Sequence, residues 1–198
     1  MDADSRNCAE ALSGIASSQG GYFTATQALH AGYADSQHVY HVRTGHWAKV
    51  QRGIYRLAGA PAPDWPELII WSLWSRDRDG QPQGVYSRET ALQIHGAMAR
   101  RAGPLHMTVP RSFRKNTELP PDLVLHKEDL PAEDIESLDG FRAVSLRRAL
   151  AETTDHPEHE LISGQARHLP QYYTRRAPAT EDATLPRTYD DAINAGED

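Results

Sequence analysis

Four cations, Arg43, Lys49, Arg52 and Arg56, stand in a run of 28 residues, 36 to 63, that contains no aspartate or glutamate. His38, His41 and His46 share the run. Its formal charge is +4, against −3 for residues 1–35 and −7 for residues 64–198, in a chain of net charge −6. Cations gathered without counter-charges suit a polyanion, because neutralising phosphates releases condensed counterions and supplies most non-specific nucleic-acid affinity. The acidic balance elsewhere argues against a generally basic coat, so any such surface is local.

Other residues invite different chemistry. Ser87, Glu89 and His95 read as one short helix and suggest a hydrolase. Ser87 and His95 are eight apart, which on a helix separates them by about 12 Å, too far for a nucleophile and its base. Ser87 therefore reads as a helix N-cap and Glu89 as a first-turn acid favoured by the helix dipole. His106, His126, Glu128 and Asp129 fall on or beside two strands, where a metal or nuclease site would need them. Their spacing lacks the paired geometry of common sites. No catalytic residue, metal or cofactor is assigned, and an enzyme is not expected. A metal-dependent nuclease built on Glu89, Glu128, Asp129 and the strand histidines is the alternative from that class. Arg111, Arg114 and Lys115, beside Phe113, form a second basic cluster; it either extends a nucleic-acid footprint or is a plain exposed loop. Arg147 and Arg148 bracket a helix start, where one can pair with a carboxylate. Nothing assigns a task to His156, His159 or His168.

The elements that must position the positive run come from pattern. Ala9, Leu12, Ile15 and Ala16 space a helix over 5–18. Gly20-Gly21 stops it. Thr24 and Gln27 form a capping box for a second helix, about 25–31, ended by Gly32. Asp35 or Ser36 caps a third helix through about Thr44, with Val39 and Val42 facing the core and Gly45 as the stop. Trp47 to Leu57 alternates around a glycine, giving strands 47–51 and 54–58. Helix, helix, turn, helix and ribbon make a winged helix-turn-helix, with the last helix for the major groove and the ribbon for the backbone.

That frame divides the run. Gln37, Tyr40, His41 and Arg43 project from the third helix toward base edges or phosphates. Arginine prefers guanine and glutamine adenine. Ser36 and Thr44, at the helix ends, suit phosphate, with capping the other role for Ser36. Lys49, Arg52 and Arg56 on the ribbon contact the backbone and set register without reading sequence. Gly53 serves the bend.

Ala60-Pro61-Ala62-Pro63 marks a boundary. Beyond it the pattern predicts a Trp-rich helix over 64–75, a short strand at Val85-Tyr86, a helix from Ser87 to His95, strands at 105–109, 123–126 and 141–144, and a helix over 146–153. A last helix is expected over 158–169. The fold class is therefore α+β: a winged helix-turn-helix domain at 1–59, a mixed α/β domain at 64–175, and a polar tail at 176–198 expected to be disordered. The single Cys8 leaves no internal disulfide and no CxxC for zinc. No basic signal-peptide start and no run of about 18 apolar residues is present, so a cytoplasmic protein is expected.

Several motifs carry a family resemblance. Residues Gly21 to Ala28, Gly32-Tyr33, His41 to Gly45 and Val50 to Leu57, with Ser87 to Leu92, His95-Gly96 and Leu105 to Pro110 followed by Arg111 to Arg114, together resemble the AbiEi-type antitoxins of type IV toxin–antitoxin systems. The resemblance covers about residues 20–150. It implies a winged helix that binds double-stranded DNA at repeats in its own promoter and represses it, as a monomer or as two protomers on an inverted repeat. It also implies a C-terminal antitoxin domain counteracting a nucleotidyltransferase-like toxin without a stable complex being required. The nuclease-like extra domain of some related proteins is not expected here. A direct toxin-binding module is the remaining alternative.

Overall fold

A computed structural model describes residues 3–154, and the helix expected over 158–169 and the tail from 176 lie outside them. Among the described residues, six helices and eight strands make an α+β fold. Helix α1 (Ala3–Ser17) leads into strand β1 (Tyr22–Thr24), helices α2 (Ala25–His30) and α3 (Asp35–Arg43), and the ribbon β2 (Trp47–Gln51) and β3 (Ile54–Leu57). After the Pro-rich stretch come α4 (Pro66–Trp74), β4 (Val85–Tyr86), α5 (Arg88–Ile94), β5 (Leu105–Val109) and β6 (Leu123–Lys127). A 3₁₀ turn at Ala132–Asp134, β7 (Ile135–Leu138), β8 (Phe141–Val144) and α6 (Leu146–Thr154) complete the order.

The first sheet runs β1-β3-β2 and is antiparallel throughout. Phe23, Leu12, Ala16, Ala28, Ala31 and Trp47 fill the space beneath it, where α1, α2 and the sheet meet. Phe23 meets the edge of Trp47 at 4.9 Å and stacks on Tyr55 at 5.8 Å, offsets that suit aromatic quadrupoles. The second sheet runs β6-β5-β4-β8-β7 and is mixed: β5–β6 and β4–β8 are parallel, β4–β5 and β7–β8 antiparallel. Helix α4 is buried along Leu68 to Leu73 and packs Leu68, Ile69, Ile70, Trp71 and Leu73 with Tyr86, Met107 and Ala143 of the second sheet. Tyr22 and Ile54 of the first sheet join that same core. An all-round apolar helix of this kind is a buried one.

Several expectations are corrected. The N-cap of α3 is Ala34, not Asp35 or Ser36, and no side chain caps it from that position. Val39 does not face the core: it is 74% exposed, and His38, one residue earlier, is the buried side chain at 4%. The helix is turned because Trp47 and Tyr55 offer His38 an aromatic bed, with ring centroids at 5.4 and 5.7 Å. Ser87 is the N-cap residue of α5 without a side-chain cap bond. Its buried hydroxyl instead accepts from Thr108 Oγ1 at 2.9 Å, tying α5 to β5. Strands β1 and β7 and the 3₁₀ turn were not foreseen.

Candidate nucleic-acid interface

The interface begins with the device that fixes α2. Thr24 Oγ1 accepts from the Gln27 N–H at 3.2 Å, and Gln27 Oε1 accepts from the Thr24 N–H at 2.9 Å. This reciprocal box satisfies two donors that a helix start would leave bare. Buried Gln19 locks it from behind. Its Oε1 accepts from Gln27 Nε2 at 3.0 Å and from Arg76 Nη2 at 2.5 Å, while its Nε2 donates to the Tyr22 carbonyl at 2.9 Å. Gly32 then turns the chain toward α3 with φ +100°, and a Cβ there would meet Cys8 Sγ at 2.7 Å, so both conformation and space call for glycine.

Helix α3 divides cleanly. His38, His41 and Val42 point inward or partly inward, and Ser36, Val39, Tyr40 and Arg43 are exposed. These four of the exposed residues stand at i, i+3, i+4 and i+7, which is one helix face, and exposed Asp35 lies one turn before Val39. Gln37 is also exposed, but its Oε1 accepts from the Ala34 N–H at 2.7 Å, so its amide orders the helix start and leaves its NH₂ for other contacts. Thr44 Oγ1 donates to the Tyr40 carbonyl at 2.9 Å and lies 2.9 Å from His46 Nδ1. His41, expected outside, stacks on Trp47 at 4.6 Å with an interplanar angle of 20°. Burial first, and then His46 and His38 nearby, push its imidazole below the usual histidine range.

The ribbon presents the remaining cations differently. Lys49 lies cross-strand from Tyr55, whose ring packs against His38, so Lys49 shares the ribbon face on which α3 rests. Gln51 pairs with Ile54 across the two-residue tip Arg52-Gly53, and Gly53 supplies the φ of +74° that the bend requires. Arg52 is therefore carried at the end of the wing. Arg56 is held otherwise: its Nη2 donates to the Ala60 and Pro61 carbonyls at 2.5 and 2.9 Å, and its guanidinium lies over the Tyr22 ring at 5.5 Å. Arg43, Lys49 and Arg52 are exposed, and none has a carboxylate within 4.0 Å among the described residues. Sequence reasoning missed Val39 as a member of the exposed face. The spacing Ser36, Val39, Tyr40, Arg43 was a signal for it, hidden because valine was assigned to the core.

The second basic cluster is split among partners. Arg111 lies 4.0 Å from Asp129, Arg114 donates to the Arg111 and Phe113 carbonyls, and Lys115 donates to the Arg76 carbonyl at 2.6 Å beside the Trp74 ring. Burial lowers the Lys115 pKa. The residues weighed as a metal or nuclease set split, with Glu89, His106 and His126 together and Glu128 and Asp129 apart. His106 Nδ1 is 3.0 Å from His126 Nε2, and His106 Nε2 is 3.6 Å from Glu89. Glu128 instead pairs with Arg148 at 2.5 Å, and Asp129 with Arg111. Among the described residues no group of three or more His, Cys, Asp or Glu is arranged to hold a metal. None of their helices is long and apolar enough to cross a membrane.

Residues 10–58 match the family model described as transcriptional regulator, AbiEi antitoxin. The matched segment spans α1 from Glu10 through the end of β3 and leaves the second sheet outside it. No curated protein matches the chain.

Proposed function

We propose that this chain is a DNA-binding autorepressor and antitoxin of the AbiEi type. Residues 1–59 act as a winged helix-turn-helix in which α3 enters the major groove and the β2–β3 ribbon rests on the phosphate backbone. One observation carries the reading: exposed Arg43, Lys49 and Arg52 have no carboxylate within 4.0 Å among the described residues, and they lie on α3 and on the ribbon packed against it. An exposed cation needs no acid partner in water; what marks these three is that they gather on α3 and the ribbon in a segment free of acids. Arg43 reads bases; Ser36, Thr44, Lys49 and Arg52 hold phosphates. The target is double-stranded DNA at repeats in the operon's own promoter, bound by one copy or two. Residues 64–175 supply antitoxin activity against a nucleotidyltransferase-like toxin in the cytoplasm.

A gel-shift titration of the full chain on the upstream operon fragment tests this. Each lost phosphate contact lowers the salt slope by about 1, so Lys49→Ala with Arg52→Ala reduces it by about 2 and weakens binding to every sequence. Equal, salt-insensitive binding by wild type and this double variant defeats the proposal. The other readings give different results in the same preparation. Metal-dependent cleavage of the fragment, abolished by Glu89→Ala, would favour a nuclease. Co-purification with the toxin at physiological salt would favour direct neutralisation.

A further inference from the structure

Val39 is the aliphatic side chain on the outward face of α3, at 74% exposure. Its companions on that face are Ser36, Tyr40 and Arg43, at helical spacings of three and four, and all are exposed. An isolated exposed valine needs no explanation on an ordinary surface. Here it sits between a hydroxyl and a guanidinium on a helix whose opposite side packs, through His38, on the ribbon that carries Lys49 and Arg52. Those charges specify what covers the face: a polyanion whose groove also offers apolar contacts. In duplex DNA the major-groove group of that kind is the C5-methyl of thymine.

We infer that Val39 is a specificity-determining residue that reads the 5-methyl group of a thymine. The inference rests on the DNA-binding reading and deepens it. Val39 and Arg43 are four residues apart, a rise of about 6 Å along the helix. Base steps are about 3.4 Å, so the thymine lies within about two steps of the guanine that Arg43 contacts. Val39 adds selectivity, and the cations add affinity.

Deoxyuridine supplies the test, because it removes the methyl group and leaves the base's hydrogen-bonding edge intact. A pool of random-sequence duplexes is bound to the full chain, and the best-retained duplex is resynthesised with each thymine replaced in turn. Loss of one buried methyl weakens binding by about fourfold. Wild type is therefore expected to show that loss at one thymine position per half-site. In Val39→Ala the thymine-to-uracil ratio falls to near one, while Arg43→Ala keeps it. Because Val39 is exposed, the variant should melt as wild type does, so a changed ratio is not a folding effect. The inference is overturned if no position responds to uracil, if Val39→Ala keeps the full ratio, or if Tyr40→Ala alone abolishes it. Should no duplex be retained above a salt-insensitive background, the DNA-binding reading falls as well. A retained duplex with no uracil effect removes the valine contact and leaves that reading standing.

Discussion

The two sheets differ in whether a cluster of acids gathers around their cations. Around the second sheet a cluster of cations is matched, although exposed Lys127 of β6 and exposed Arg114 have no carboxylate within 4.0 Å among the described residues. Arg148 reaches Glu128 at 2.5 Å, Glu152 at 2.8 Å and Asp134 at 3.7 Å, Arg147 reaches Asp134 at 3.2 Å, and Arg111 reaches Asp129 at 4.0 Å. Around the first sheet, Arg43, Lys49 and Arg52 have no such partner among the described residues. Paired charges contribute to folding or to positioning. Exposed charges of one sign gathered without acids raise the local potential that attracts a counter-charged partner. The difference separates an ion-pair network beside the second sheet from a group of cations presented on α3 and the ribbon.

Breaking the matched side should have the largest effect on folding. Arg148→Ala leaves Glu152, whose side chain is 10% exposed, without its cation, while Asp134 keeps Arg147. Removing the cation from one mostly buried carboxylate costs about 3 kcal/mol, read as a shift in the denaturation midpoint. A variant as stable as wild type would mean that the network is only decorative. On the presenting side, Arg43→Ala should leave the melting temperature unchanged. It should relax discrimination at one base position by about 1 to 3 kcal/mol, measured by competition between matched and mismatched duplexes. A stability loss without a change in preference would place Arg43 with the matched cations.

The smallest effect concerns His41, which belongs to neither class. Its folded pKa is lowered by burial and by its histidine neighbours. The unfolded chain therefore binds the proton more readily as pH falls. The contribution is complete above about pH 6.5, the unperturbed histidine value, and is lost as pH drops through the folded value. Wild type should lose more thermal stability between pH 7.5 and 5.5 than His41→Phe does. Equal losses would remove His41 as a contributor.

What was legible in the sequence was local. The Thr24–Gln27 box and the Arg52-Gly53 bend involve residues no more than three apart, so the chain announces them. The run lacking acids was also legible, because charge needs no folding to be counted. The rotation of α3 was not. Valine outranks histidine on any apolar scale, and only Trp47 and Tyr55, contributed from the ribbon, make the His38 side the inner one. Strand β1 is three residues long and its partners, Ile54 to Arg56, lie some thirty residues on, so alternation had too little length to register. Arg56 and Lys115 looked like surface cations because backbone carbonyls, which bind them here, leave no trace in composition.

Gln19 joins three parts of the chain through one side chain: the α2 cap at Gln27, the β1 carbonyl at Tyr22, and Arg76 after α4. With Tyr22 and Ile54 seated in the core that α4 shares with the second sheet, the first sheet is bolted to the second instead of hanging from it. This has a consequence for spacing. If two copies met through their second sheets, the distance between their outward helix faces would be set by the protein and not by a tether. An operator's tolerance for added or removed base pairs between its repeats would then be narrow, and half-site spacing would act as a ruler for the mount itself.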